Sequence, residues 1–395
     1  MKIRVFTAFS GYDSQCLALD RIKRDYPDFD YELVGWSEID KYAIQAHNAL
    51  YPEWADRNYG DISKIDWSQV PDFDLFTYSS PCQDFSNAGL QKGGTEGSGT
   101  RSSLLWECRR AIITKRPKYL LLENVAALVS QKFLPLFNKW QAELESYGYT
   151  NFAQVLNAKD YGVPQNRERV FLVSILNGDS YHFPKPFKLE KRLKDVLETN
   201  VDEKYYLSEK TIAMFDAHRD KQQVLGRGFG WKPTDGGGIA MGIKTSANTR
   251  ADDNFIKEQC DTSFVAEPLH IPEATAQGYA EAYEGDSVNL AVPNSKTRRG
   301  RVGKQMANTL DTGCQQGVVE QENNVRCRIR KLTPRECFRL MGVDDADIDK
   351  IQASGISNSQ QYKCAGNSIV VDVLYHLFRK MFVETGNENQ QLTLF

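Results

Sequence analysis

Apolar, β-branched-rich runs recur through the first 180 residues at Ile3–Phe9, Tyr31–Ile39, Asp74–Ser80, Tyr119–Val125 and Arg169–Ile175. Stretches with helical spacing lie between several of them, including Lys41–Leu50, Ser103–Lys115 and Phe133–Tyr147. Strands alternating with helices predict a doubly wound α/β domain on a mostly parallel sheet. The character changes after Pro184-Lys185-Pro186. Six glycines fall between 226 and 238 and no period persists, so the middle third reads as loop-rich. Helical patterning returns at Thr333–Met341, which opens Thr-Pro-Arg-Glu, a capping-box spacing with proline at the first helical position. A last helix is expected over Val370–Phe382. There is no internal repeat. The pattern predicts an α/β domain at 1–184, an irregular insertion at 185–354, a segment at 355–384 that returns to the first domain, and a flexible tail at 385–395.

Composition narrows the class. With 41% apolar and 26% charged residues the chain reads as an ordinary globular protein. Its longest apolar stretches, such as Tyr119–Leu122, are too short for a bilayer. Lys2-Ile3-Arg4-Val5-Phe6 runs straight into a strand rather than a signal peptide, so a cytoplasmic chain with reduced thiols is expected. The eight cysteines (16, 82, 108, 260, 314, 327, 337 and 364) form no CxxC pair and the five histidines do not gather near them, which argues against a metal site. Most read as small buried hydrophobes. The net charge of −3 does not advertise a nucleic-acid binder, yet Lys296–Arg339 holds eleven Lys or Arg against four acids, +7. A solvated basic face and a phosphate-contacting face are both open on charge alone.

Chemistry gathers outside the carboxyl ends of strands in such a sheet. Phe9-Ser10-Gly11-Tyr12 follows the first strand, Glu38-Ile39-Asp40 ends the second, and Gly60-Asp61-Ile62 lies in a later connection. Ser79-Ser80-Pro81-Cys82-Gln83 ends the next strand, Glu123-Asn124-Val125 the one after, and Arg167-Glu168-Arg169 opens the last. A glycine turn followed by an acid at a strand end suits a nucleoside ribose. GxGxxG and Walker loops are absent, which disfavours a pyrophosphate-bearing cofactor and leaves S-adenosylmethionine as a fit. Cys82 sits where Glu123 and two arginines converge, and positive neighbours favour the thiolate.

In these residues the chain resembles the DNA cytosine-5 methyltransferases of bacterial or phage type. The resemblance spans roughly 1–184 and 326–380. It rests on Ser80-Pro81-Cys82-Gln83-Asp84-Phe85-Ser86, Glu123-Asn124-Val125, Gln165-Asn166-Arg167-Glu168-Arg169-Val170, Arg330-Lys331-Leu332-Thr333-Pro334-Arg335-Glu336-Cys337 and Gly366-Asn367-Ser368, in that order. One departure stands out: the family's first turn usually reads F-x-G-x-G-G, whereas here Asp13 and Ser14 replace the last two glycines. The resemblance implies a Rossmann-like S-adenosylmethionine-dependent methyltransferase domain with an inserted target-recognition domain. It implies that Cys82 adds to carbon 6 of cytosine, that Glu123 holds the ring-nitrogen edge, and that Arg167 and Arg169 orient the base oxygen and the thiolate. The base that removes the carbon-5 proton is left open.

For the cofactor, Phe9, Ser10, Gly11 and Tyr12 would form the turn, Glu38 would take the ribose diol, Ile39 the adenine face, and Asp61 with Ile62 the adenine edge. Pro81, Leu104, Asn367 and Ser368 follow by motif match. The partner is double-stranded DNA, whose target base must be flipped out at a cost of roughly a few kcal/mol. Gln83 and Ser86 adjoin the nucleophile, and Gln91–Thr100 has the glycines of a closing lid. Recognition candidates are Arg227, the polar run ending in Arg250, and Thr309 in Asn308-Thr309-Leu310; an arginine could read guanine in the major groove. The tail, Gln391-Leu392-Thr393-Leu394-Phe395, resembles the pentapeptide by which bacterial replication proteins bind the sliding clamp, with packing on its own domain the other reading. A monomer without membrane contact, associated with the nucleoid, is expected. A tRNA-modifying enzyme of the same fold and a non-catalytic DNA-binding relative are the rival readings.

Overall fold

Strand β1 (Lys2–Ala8) lies inside a six-stranded sheet with β2 (Asp30–Ser37), β3 (Leu75–Tyr78), β4 (Tyr119–Val125) and β5 (Tyr149–Asn157). After the two-residue β6 (Gln165–Asn166), β7 (Glu168–Leu176) completes it in the order β2-β1-β3-β4-β7-β5. The computed structural model describes residues 2–80, 101–178, 180–224, 231–245, 250, 253–259, 269–283, 286–289, 300–304, 316–318 and 327–384. Strands β2, β1, β3 and β4 are parallel, while β7 runs antiparallel to both β4 and β5. The expected mostly parallel sheet therefore contains one reversed strand, and that reversal matters below.

Period-two alternation explains the apolar runs. Leu121, Phe171 and Val173 enter one core with Val5 and Leu33; Leu120, Leu122, Val170 and Leu172 enter the other with Phe6 and Phe76. Both faces are covered, so nearly every strand position is apolar. Helices α1 (Ser14–Asp25) and α2 (Lys41–Leu50) cover the first face. The second is covered by α3 (Cys108–Lys115) and α4 (Leu134–Ser146), with Trp140 fully buried. The anticipated helix from Ser103 begins instead as a 3₁₀ segment, Arg101–Glu107. Strand β5 escaped the sequence reading because it is an edge strand: Ala153, Gln154 and Val155 are exposed, so no full alternation marks it.

Helix α5 (Glu209–Val224) leads to a small aromatic cluster of Phe215, Trp231 and Phe255, and β8 (Ala240–Met241) pairs in parallel with β6. The capping box forms as read: Thr333 Oγ1 accepts from the Glu336 amide at 3.2 Å, and Glu336 accepts from the Thr333 amide at 2.8 Å, opening α6 (Pro334–Arg339). Helices α7 (Asp345–Ala353), α8 (Asn358–Asn367) and α9 (Val371–Arg379) follow, and a π-helical turn, Lys380–Glu384, ends the described chain. The return to the first domain is literal: Tyr375 donates to Asp25 at 2.8 Å, Lys363 pairs with Asp40, and α9 shares the core of α1.

The chain divides into two units, Met1–Ile256 with Arg330–Phe395, and Lys257–Ile329. The boundaries read from sequence, 185 and 354, both fall inside the first unit. Residues flanking the insertion are bound into the α/β body by pairs far apart in sequence, as where the Glu198 amide donates to Glu336 at 2.8 Å. Within Lys257–Ile329, Leu269–Pro272 pairs with Tyr279–Ala282, and Ser287–Asn289 lies between Val302–Gly303 and Gln316–Val318, all antiparallel. Among the described residues no helix is long and apolar enough to cross a membrane.

Candidate active site

Among the described residues, the carboxyl ends of β1, β2, β3 and β4 and the start of β7 lie at one edge of the sheet. The turn after β1 alternates left-handed residues: Phe9 at φ 55°, Gly11 at φ 60° and Asp13 at φ 68°. The Gly11 amide donates to Glu38 Oε2 at 3.0 Å, and Glu38 Oε1 accepts from the amides of Ile39 and Asp40 at 2.8 Å. A side chain on Gly11 would meet nothing within 4 Å, and Ile39 is 70% exposed at the strand end. An open glycine turn, an apolar face and a carboxylate fixed between them suit an adenosine-bearing cofactor.

Some predicted cofactor residues take other places. Tyr12 and Ile62 are buried, Tyr12 edge-on to Phe338, so their side chains belong to the core. Asp61 caps a short 3₁₀ turn, accepting from the Ser63 hydroxyl (2.8 Å) and amide (3.0 Å), which hold its carboxyl below the usual range. Ser10 is buried and Phe9 partly so. Leu104 packs partly buried against the second core. Asn367 is exposed, whereas Ser368 is buried with its hydroxyl donating to Ser14 Oγ at 3.1 Å.

The reversed β7 brings its first residues to the carboxyl ends of the parallel strands. Arg169 lies opposite Val125 and Phe171 opposite Glu123, so Arg169 is a diagonal neighbour of Glu123 on the same face. Its Nε stands 3.1 Å from Glu123 Oε1. Ser79, at the end of β3, donates its hydroxyl to the other carboxylate oxygen. Glu123 is only 7% exposed, so this fork fixes a largely desolvated carboxylate. Asn124 Nδ2 donates to the Ser80 carbonyl at 3.1 Å, fastening the chain just before Pro81 and Cys82. Sequence reading missed Ser79; a hydroxyl at a strand's carboxyl end, beside an acid ending the next strand, was the available signal.

Arg167 does not join that pair. It lies between the two-residue β6 and the start of β7, and its guanidinium donates to the carbonyls of Ile243 (3.1 Å), Gly366 (2.9 Å) and Ser368 (2.8 Å). It is buried, and it binds the segment after β8 to the Gly-Asn-Ser turn. Gly366 is required there: a Cβ would fall 2.6 Å from the Lys244 backbone. Its guanidinium is thus committed to the scaffold rather than to Glu123. Pro81, Cys82, Gln83, Ser86, the 91–100 segment, Arg227, Thr309 and the clamp-like residues Gln391, Leu392, Leu394 and Phe395 lie outside the described residues. Arg250 is exposed, its amide donating to Asp253 at 2.9 Å.

Cys16, Cys108, Cys337 and Cys364 are buried thiols whose pKa burial pushes up, to about 12 for Cys364. Among the described residues of the +7 segment, several of the basic side chains are paired within the protein. Arg330 is fully buried against Glu336 (2.9 Å), Lys304 pairs with Asp286 (2.9 Å), and Arg335 and Arg339 both engage Asp345 (3.3 and 2.8 Å). Arg301 is buried and donates to the Pro272 carbonyl at 2.8 Å.

Comparison with known proteins agrees with this geometry. The Type II methyltransferase M2.ScrFI of Lactococcus lactis subsp. cremoris is 34% identical, over 96% of this chain and 99% of that protein. The orphan methyltransferase M.SPRI of Bacillus phage SPR is 32% identical, over 96% and 97%. In fold, the chain matches the Entamoeba histolytica methyltransferase EhMeth (TM-score 0.63, 16% identity, 98% of this chain and 99% of that one). It also matches the S. pombe Dnmt2 methyltransferase (TM-score 0.62, 17% identity, 98% and 100%). The family described as C-5 cytosine-specific DNA methylase matches residues 3–383. The chain belongs to that family, whose members transfer the methyl group of S-adenosylmethionine to carbon 5 of cytosine in DNA.

Proposed function

We propose that the chain methylates cytosine within a specific duplex sequence, with Cys82 as nucleophile and Glu123 and Arg169 holding the extruded base. The observation that carries this reading is the buried Glu123 carboxylate, clamped by Ser79 and Arg169 beside the Asn124–Ser80 bond that precedes Cys82. S-adenosylmethionine, held at the Gly11 turn and Glu38, supplies an electrophilic methyl group. The Cys82 thiolate forms a bond to carbon 6, and the ring electrons shift onto carbon 5. Glu123 holds the ring-nitrogen-3 edge through that shift, and Arg169 fixes the carboxylate that does so. As carbon 5 gains the methyl group the methyl–sulfonium bond would break and S-adenosylhomocysteine would leave; carbon 5 then gives its proton to a base, the carbon 5–carbon 6 double bond re-forms, and the sulfur–carbon 6 bond breaks to regenerate the thiolate. Arg167 serves as a positioning residue.

A duplex carrying 5-fluorocytosine tests the proposal, because fluorine at carbon 5 blocks proton loss and stalls the adduct. Wild-type protein plus cofactor should give a covalent complex with the duplex, and Cys82→Ala none. An adduct with tRNA but not with duplex DNA would move the substrate to RNA; absence of any adduct under conditions that support methylation would reject the nucleophile.

Sequence choice is assigned to the inserted region, with Arg227, Arg250 and Thr309 as candidate readers, and the protein acts as a nucleoid-associated monomer. The pentapeptide Gln391–Phe395 is proposed to bind the sliding clamp. Removing those five residues should abolish capture by immobilised clamp while methylation of short duplexes continues; unchanged capture refutes it.

A further inference from the structure

The turn after β1 departs from its family at Asp13 and Ser14, and both residues are anchored. Asp13 adopts φ 68°, ψ 59°, a left-handed conformation that glycine takes freely and aspartate tolerates better than most residues. Its side chain is entirely buried. Oδ1 accepts from the Cys16 amide at 3.2 Å, capping α1, and Oδ2 accepts from the Thr7 hydroxyl of β1 at 2.7 Å. His47 of α2 lies behind it, with Nε2 3.6 Å from Oδ2. That imidazole is itself fully buried and stacked on Trp36 of β2 (centroids 3.7 Å apart, 19° between planes), and neither ring nitrogen has a hydrogen bond among the described residues. Ser14 holds the other side of the turn through Ser368.

We propose that Asp13 is a positioning residue for the cofactor: its buried carboxylate, backed by His47, ties the start of α1 to β1 and α2 and so fixes the turn that presents Gly11 to S-adenosylmethionine. The inference rests on the reading of that turn as the cofactor site. A glycine at 13 would adopt the same dihedrals but leave the Thr7 hydroxyl and the Cys16 amide without their shared acceptor, and His47 without the carboxylate it faces. The neighbours make the coupling two-sided. Trp36, which His47 stacks on, sits two residues before Glu38, and Glu38 accepts from the Gly11 amide. One buried cluster thus reaches both arms of the site, the turn and the acid.

Isothermal titration with S-adenosylhomocysteine tests this without DNA. Asp13→Gly should weaken binding by about tenfold, the equivalent of one net hydrogen bond. In turnover with duplex DNA it should raise the KM for S-adenosylmethionine and leave kcat at saturating cofactor near wild type. Asp13→Asn, which keeps an acceptor oxygen and tolerates the left-handed backbone, should recover most of the affinity. Thr7→Val removes one donor without touching the turn's dihedrals and should weaken binding severalfold; it decides the matter if Asp13→Gly does not fold. Wild-type affinity in Asp13→Gly or in Thr7→Val overturns the proposal, as does Asp13→Asn binding no better than Asp13→Gly. Failure of the wild-type protein to bind S-adenosylhomocysteine would instead reject the cofactor site itself.

Discussion

Replacing Arg167 by alanine should unfold the protein far more readily than replacing Arg169, although the two sit in one short motif. Arg167 is buried and its guanidinium serves the carbonyls of Ile243, Gly366 and Ser368. Hydrogen bonds from a charged donor contribute about 1.5–3 kcal/mol each, so the three sum to ~5–9 kcal/mol as a ceiling. The ceiling is not reached: truncation also removes the guanidinium's desolvation cost, and bonds made by one group are not additive. A net loss of about 3–5 kcal/mol is the working figure, in line with breaking a buried charged contact. Against a total stability of ~5–15 kcal/mol that is a large fraction. Arg167→Lys retains the charge but not the fork, and should lose about half as much. Arg169, with a side chain 22% exposed, makes one ion pair with the buried Glu123, which keeps its bond from Ser79, so Arg169→Ala should cost about 1–2 kcal/mol while methylation collapses. Urea unfolding followed by tryptophan fluorescence, alongside methyl transfer to duplex DNA, separates the two. An Arg167→Ala variant within about 1 kcal/mol of wild type would refute the argument. So would Arg169→Ala falling as far as Arg167→Ala.

Ser79→Ala should slow methyl transfer by roughly ten- to a hundredfold, the loss of one hydrogen bond to a charged acceptor, while S-adenosylhomocysteine affinity stays unchanged; equal kcat would release Ser79 from the site. Glu336→Gln leaves Arg330 buried beside a neutral amide and should cost about 3–5 kcal/mol in urea unfolding, and a loss below about 1 kcal/mol would contradict the burial of that pair. His376, packed between Tyr161 and Phe187, has its pKa lowered by burial to about 4, below the ordinary value of roughly 6.5 in the unfolded chain. The unfolded chain thus takes up the proton first on acidification, so this contribution is complete above pH ~6.5 and is lost as pH falls toward ~4. After discounting for partial exposure it is on the order of 1 kcal/mol, and His376→Gln should flatten the stability profile across that window; an unchanged slope would show that His376 does not carry it.

The sequence alone determined what neighbours along the chain decide. The unbroken apolar run Leu120-Leu121-Leu122 marked β4 because a strand buried on both faces needs apolar side chains at every step. Thr333 and Glu336 announced α6 because a capping box closes within four residues. Gly11 and Glu38 were legible as a cofactor edge because strand ends bring short motifs together. Ordered motifs placed the family. Only tertiary structure decided the direction of β7, and with it why Arg169 meets Glu123 rather than the far edge of the sheet. It also decided that Arg167, two residues away in sequence, bonds to Ser368, two hundred and one residues on, rather than joining Arg169 at Glu123. The basic run from 296 to 339 shows the same limit: its charge was countable, but Arg330, Arg335 and Arg339 find carboxylates in the folded chain. A side chain's propensity is local, whereas its partner is chosen by packing, and a buried charge goes to whatever acceptor the fold leaves within reach.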